Sequence, residues 1–295
     1  MPADNMPNAE VDVSVNLVRS LLDAQHPDLA LLPLTLMANG WDNVIYRLGD
    51  HHTVRLPRRA MAAPLVEHEL RWLPEFATRL PIAIPAPVRR GEPADDYPFV
   101  WSICPYLPGE MAATAPHLDK ASIAPSLGEF LRALQRQAPF DAPTNQWRGV
   151  PLLDRDAANH ERMTQLADII DTGPVSELWE LLKLTTPWDQ APVWVHGDLH
   201  PANFLVDTKG HLSAVIDFGD LCSGDPATDL FIGWTFFDEP ERSVFRAAAG
   251  DIDDATWARA RGWALTLTLA YLHGSANNPI MAAIGHDALP RILGR

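Results

Sequence analysis

Residues Trp194–Asp220 read WVHGDLHPANFLVDTKGHLSAVIDFGD, and this stretch decides the fold. Val193, Trp194 and Val195 form a short apolar run that leads into His196-Gly197-Asp198, and Asn203 follows. A second apolar run, Leu212 to Ile216, delivers Asp217-Phe218-Gly219-Asp220. Apolar runs bounded by polar turns read as short strands. Two such strands would bring a carboxylate, an amide oxygen and a second carboxylate to one turn region. Gly197 and Gly219 permit tight backbone turns beside the acids.

This set suits phosphoryl transfer from a magnesium nucleotide. An attacking hydroxyl has to be oriented and its proton accepted, and Asp198 can do both. Magnesium prefers oxygen ligands, which the Asn203 amide and the Asp217 carboxylate offer. His196 reads as a brace for the loop and His200 as a residue packed near it. The rival reading is a zinc hydrolase. His196, Asp198 and His200 alternate and would share one side of an extended segment, but that leaves Asn203 and Asp217 unexplained.

His196-x-Asp198-x4-Asn203 followed by Asp217-Phe218-Gly219 resembles the catalytic and metal loops of eukaryotic-like kinases. The variant HGDLHPAN…IDFGD is similar to the aminoglycoside phosphotransferase family, within the wider choline-kinase and macrolide-kinase group. Gly197 stands where protein kinases usually carry Arg, which points to the small-molecule branch. The resemblance covers about residues 40–235. It implies an α+β, two-lobed protein-kinase-like fold. An N-terminal nucleotide-binding lobe with an antiparallel sheet spans 1–106, and a mostly helical catalytic and acceptor-binding lobe spans 107–295. A nucleotide would lie in the cleft. The activity implied is transfer of the γ-phosphoryl group of ATP or GTP, with Mg2+, to a hydroxyl of a small molecule. An aminoglycoside-type antibiotic is the leading acceptor, with macrolides, sugars and amino alcohols as alternatives. A non-catalytic nucleotide-binding module is the reading from another class.

The remaining site residues follow from the same resemblance. In Thr53-Val54-Arg55-Leu56, Arg55 occupies the place of the family's phosphate-contacting lysine, with Arg58 and Arg59 close by. Arg can hold phosphate bidentately. Glu69, or alternatively Glu67, matches the glutamate that pairs with it. Gly40, in the turn Asn39–Asn43, is the candidate for a backbone turn over the phosphates. Cys104-Pro105-Tyr106-Leu107-Pro108-Gly109 resembles the hinge between kinase lobes. There the Pro105 carbonyl and the Leu107 N–H would read the purine edge. Asp229 resembles a position that braces the catalytic loop.

Composition bounds the partners. The 295 residues are 47% hydrophobic, enough for a sizeable core. Lys plus Arg is 23 against 38 Asp plus Glu, a net charge of −15. Such a chain repels nucleic acid and anionic membranes, while a cationic small substrate would fit. Cys104 and Cys222 make no disulfide framework. The N-terminus MPADNMPNAEVDVSV has no basic region or long apolar core, and no stretch reaches membrane-spanning length, so a cytoplasmic location is expected.

Helices are expected over 11–22, 65–77, 123–137, 155–170 and 175–184, with Gly173-Pro174 between the last two. Strands are expected over 31–36, 44–48, 53–56 and 99–104. Asp238-Glu239-Pro240-Glu241 reads as an acidic turn. Asp253 reads as the cap of a helix through Trp257, Leu265, Leu269 and Leu272 that ends near Gly274, with Gly262 inside it as a weak point.

Overall fold

The computed structural model describes residues 7–295. Residues 1–6, part of the polar N-terminus read above, lie outside the described residues. The chain divides into two compact units. The first runs through Arg79 and resumes over Ala83–Pro108; the second comprises Leu80–Ile82 and Gly109–Arg295.

The first unit holds α1 (Val15–Gln25), β1 (Leu34–Asn39), β2 (Asn43–Leu48), β3 (His52–Pro57), α2 (Ala63–Ala77), β4 (Arg89–Gly91) and β5 (Trp101–Pro105). Its antiparallel sheet has the order β1-β2-β3-β5-β4. Alternation along β2 buries Val44, Tyr46 and Leu48, which pack with Val18 and Leu22 of α1 and with Val54 and Leu56 of β3. Ser14 caps α1 by accepting the Leu17 N–H. The first strand begins at Leu34, later than the expected Leu31. The short turn after Asn39 pairs Asn39 with Val44 and Leu34 with Leu48, so pairing with β2 sets its limits.

The second unit follows with β6 (Glu110–Met111), α3 (Lys120–Leu134), α4 (Asp156–Gln165), α5 (Thr172–Leu182), β7 (Val193–Val195), β8 (Phe204–Val206), β9 (Leu212–Val215) and β10 (Cys222–Gly224). It ends with α6 (Ala227–Leu230), α7 (Ile232–Thr235), α8 (Glu239–Ala249), α9 (Asp254–His273) and α10 (Pro279–Leu293). Its small sheets are β6-β8-β9 and β10-β7, so the two runs that opened the sequence reading are β7 and β9.

Two expectations are corrected here. Gly173 and Pro174 lie inside the first turn of α5, where Asp171 accepts the Gly173 N–H and a missing proline N–H costs nothing. The acidic turn at Asp238 is instead the start of α8, because acids and proline both suit a helix N-terminus. The helix expected from Asp253 to near Gly274 is α9, and Gly262 lies inside it. A Cβ there would stand 2.5 Å from Leu152 Cδ1, so the glycine serves close packing within an unbroken helix. Asp253 does cap that helix, accepting the Thr256 N–H at 2.7 Å. Among the described residues, no helix is long and apolar enough to cross a membrane.

Candidate active site

The turn that carries Asp198 is assembled between β7 and β8. Its entry is clamped by Asp229, wholly buried near the start of α6. The Asp229 carboxylate accepts the backbone N–H groups of His196 at 2.6 Å and Gly197 at 2.9 Å. Burial pushes this carboxyl up to about 7, against the pull of those two N–H groups and of Arg148. Gly197 sits at φ +90°, and a Cβ on it would meet the Asp220 carbonyl oxygen at 2.5 Å. No other residue fits that turn.

His196 is fully buried, with both ring nitrogens engaged. Nδ1 accepts the Asp198 N–H at 3.3 Å, and Nε2 donates to the Ile216 carbonyl at 3.0 Å. Burial lowers its pKa, which keeps the ring neutral. A ring spent in this way has no lone pair for zinc, so the alternating His-Asp-His arrangement is not a metal centre. His200 accepts the Ala202 N–H at Nδ1, so Nε2 carries the proton and faces Asp198 Oδ2 at 3.2 Å.

Asp198 is held from several directions. Asn203 Nδ2 reaches its carbonyl at 2.8 Å and its Oδ2 at 3.3 Å. Arg148 Nη2 lies 3.4 Å from Oδ1. The Asp198 side chain remains 28% exposed. Burial pushes its carboxyl up, but His200 and Arg148 outweigh that and hold it below the usual carboxylate range. Such a group stays ionised. It is a weak base, suited to orienting a hydroxyl and accepting its proton late in a loose transition state.

Asn203 and Asp217 lie at the adjoining ends of β8 and β9. Phe204 pairs with Val215, and the Ile216 N–H donates to the Asn203 carbonyl at 2.9 Å. Asp217 follows Ile216 directly. Among the described residues it is the non-glycine residue with positive φ, at 64°, a conformation that turns its side chain out of the strand direction. Its carboxylate is exposed. Because Asn203 gives Nδ2 to Asp198, its Oδ1 faces elsewhere. An amide oxygen and a carboxylate on neighbouring strand ends fit the oxygen preference of magnesium.

Sequence reading missed Arg148, which lies in the loop before Gly149. Its Nε donates to the Gly197 carbonyl at 2.5 Å, and Nη2 lies 3.3 Å from Asp220 Oδ2 as well as near Asp198. Asp220 also accepts Asn145 Nδ2 at 2.9 Å. Two partners of Arg148, Gly197 and Asp198, are 49 and 50 residues away in sequence and Asp220 is further still; its loop has no periodicity, so no local signal marks it.

In the first unit, Arg55 and Glu69 form an ion pair at 3.0 Å with 7% and 1% side-chain exposure. Glu67 instead pairs with Arg90 at the surface. Tyr106 N–H donates to His51 O at 2.8 Å, which makes His52 and Pro105 a non-hydrogen-bonded pair. The Pro105 carbonyl therefore points away from β3. Leu107, two residues on, is half-buried. Gly40 donates its N–H to Asn43 O at 2.9 Å, so that donor is engaged inside the turn.

A separate cluster, Asp156, His160 and Glu180, lies on α4 and α5. Lys183 Nζ stands 3.1 Å from Asp156 and 2.8 Å from Glu180, so a positive charge already bridges those acids.

A β-sheet unit followed by a larger, mostly helical unit, with the Asp198 turn on the latter, defines an α+β fold of the protein-kinase-like class. Known proteins bear this out. The model of the phosphotransferase enzyme family matches residues 33–263, and the chain belongs to that family. It is 30% identical over 193 residues to the aminoglycoside 3'-phosphotransferase of Streptomyces ribosidificus, a match covering 60% of this chain and 69% of the relative. A match to YcbJ of Bacillus subtilis (strain 168), 27% identical over 100 residues, covers 30% of this chain and only 33% of that protein. The structure of APH(2")-IIia in complex with GDP and kanamycin superposes with a TM-score of 0.69 at 20% identity, covering 93% of this chain and 97% of that one. Macrolide 2'-phosphotransferase type I gives 0.63 at 19% identity, covering 96% and 99%. At such identities the structures speak for the fold.

Proposed function

We propose that this protein transfers the γ-phosphoryl group of ATP or GTP to a hydroxyl of a small molecule. The observation that supports this best is Asp198, kept ionised by His200 and Arg148 yet reachable, beside an Asn203 amide fixed by its hydrogen bond to Asp198. Asp198 orients the acceptor hydroxyl and takes its proton. Asn203 Oδ1 and the Asp217 carboxylate would hold magnesium, which when bound neutralises charge on the phosphates. Arg55 steadies the phosphates and Glu69 steadies Arg55. The Pro105 carbonyl and the Leu107 N–H read the purine edge, and the turn opened by Gly40 is assigned to the phosphates. We assign residues 1–106 to the nucleotide and 107–295 to catalysis and the acceptor. The reaction belongs in the cytoplasm, where the donor is abundant.

Aminoglycoside-type antibiotics are the first acceptor class to test, because relatives carry that activity in their names. Phosphorylation of one would make this a resistance enzyme. The test is nucleotide consumption by purified protein with Mg-ATP or Mg-GTP and a panel of hydroxyl acceptors. Asp198→Ala should cut transfer by about 100- to 10,000-fold. Transfer that persists unchanged in that variant removes the proposed base.

A further inference from the structure

We infer that the acceptor carries an anionic group, a carboxylate or a phosphate, which Arg155 and Arg162 bind beside the hydroxyl that Asp198 orients. This rests on the phosphotransfer reading above and names its substrate class.

Arg155 closes the 3-10 turn Leu152–Arg155 that leads into α4, and Arg162 lies two helical turns further along. At that spacing the two side chains share one face of the helix. Asn159 lies between them on the same face. It is fully buried and donates Nδ2 to Thr266 Oγ1 of α9 at 2.9 Å. The arginine face is therefore turned toward α9. The same helix carries Tyr271, whose ring meets the edge of His200, the residue that holds Asp198. Arg148, on the chain just before the 3-10 turn, reaches Asp198 itself.

These groups are short of partners. Arg155 is 8% exposed, and its Nε has no hydrogen-bond partner among the described residues. Arg162 Nη1 and the Tyr271 hydroxyl are also buried without a partner. The acids that act on the two arginines are Asp154 and Glu161, both exposed. The repulsion between Arg155 and Arg148, added to burial, lowers the Arg155 pKa, and Arg162 responds to both in the same direction. In a chain of net charge −15, acids were available to neutralise this face. Guanidinium groups buried without an acid are costly unless an anion meets them. Planar guanidinium forks suit a carboxylate or a phosphate. A polycationic aminoglycoside would meet two like charges here, Arg155 and Arg162, since Arg148 is already paired with Asp198 and Asp220.

The experiment has a binding arm and a turnover arm. In the first, inorganic phosphate and gluconate are titrated calorimetrically into protein saturated with Mg-ADP, so the nucleotide's own phosphate contacts are filled. Binding is expected, weakened at least about tenfold in Arg155→Gln and in Arg162→Gln and retained in Arg155→Lys. Arg162 is half-buried, so its variant serves where Arg155→Gln does not fold. In the second arm, glucose, gluconate, glucose 6-phosphate and kanamycin are compared as acceptors. A charged sugar preferred over glucose, with that preference lost in Arg162→Gln, supports the inference. Absence of anion binding, anion binding unaffected in both glutamine variants, or kanamycin preferred over every anionic acceptor overturns it. If that occurs while Mg-ADP binds and nucleotide is consumed through Asp198, the phosphotransfer reading stands. Protein that neither binds nor consumes nucleotide sinks that reading, and the acceptor assignment with it.

Discussion

Two arginine–carboxylate pairs in this molecule make opposite use of similar chemistry. Arg55 and Glu69, in the first unit, meet at 3.0 Å with almost no exposure. Arg148 and Asp198, in the second, stand 3.4 Å apart with 18% and 28% exposure, and each has other partners. The first pair is almost wholly enclosed, which holds the guanidinium in place. The second is loose and shared, so the carboxylate stays ionised while part of it remains exposed. The difference teaches that a functional charge is recognised less by whom it pairs with than by how completely it is enclosed.

Breaking the closed pair should have the largest effect on stability. Glu69→Ala leaves Arg55 buried without its acid and should cost about 3–5 kcal/mol, read from chemical denaturation. The sharper version replaces both residues, Arg55→Met with Glu69→Leu. This should recover most of that stability while weakening donor binding, since the cation is then gone. If the double variant is as unstable as the single one, burial of an orphaned charge is not the cause.

The open pair should respond more in rate than in stability. Arg148→Ala removes a hydrogen bond to the Gly197 carbonyl and the charge beside Asp198 and Asp220. A loss of about 1–3 kcal/mol in stability is expected. We also expect a lower turnover number with little change in donor KM. A rise in donor KM alone would place Arg148 on the nucleotide side.

The clamp behind the open pair gives a pH signature. Burial raises the Asp229 carboxyl from 3.8 to about 7, so the folded protein keeps a proton that the unfolded chain has released. The stability this group contributes is complete below pH 3.8 and is lost as pH rises to about 7. The advantage of wild type over Asp229→Asn in thermal unfolding should therefore shrink across that window. A gap that does not vary with pH rules out the shifted carboxyl. Last and smallest, Asp253→Ala removes the cap of α9 and should lower stability by about 1 kcal/mol.

What the sequence made legible was what lies close together along it. Asp198, Asn203 and Asp217 fall within one short strand-turn-strand segment, so their spacing alone drew attention to them. Arg55 and Glu69 sit on a strand and the next helix, and resemblance supplied their pairing. Arg148 meets even its nearest partners in sequence, Gly197 and Asp198, only across separations of 49 and 50 residues, and a loop arginine without periodicity carries no mark of that. Arg155 and Arg162 read as an ordinary polar helix, because nothing local says that Asn159 between them is buried against α9. The Asp238 turn was misjudged because acids and proline signal both a loop and a helix start. The choice depends on whether an apolar stripe follows, and here Phe245 and Ala249 supply it.

Helix α9 holds Asp225 through Arg259 at one point, Asn159 through Thr266 at the next and His200 through Tyr271 near its end. It works as a camshaft with three lobes set at fixed angles. Inserting a single residue midway would rotate everything beyond it by about 100°, throwing the last lobe out of phase with the first. A substitution between the lobes leaves their phase intact, whereas a change in length there moves every lobe beyond it.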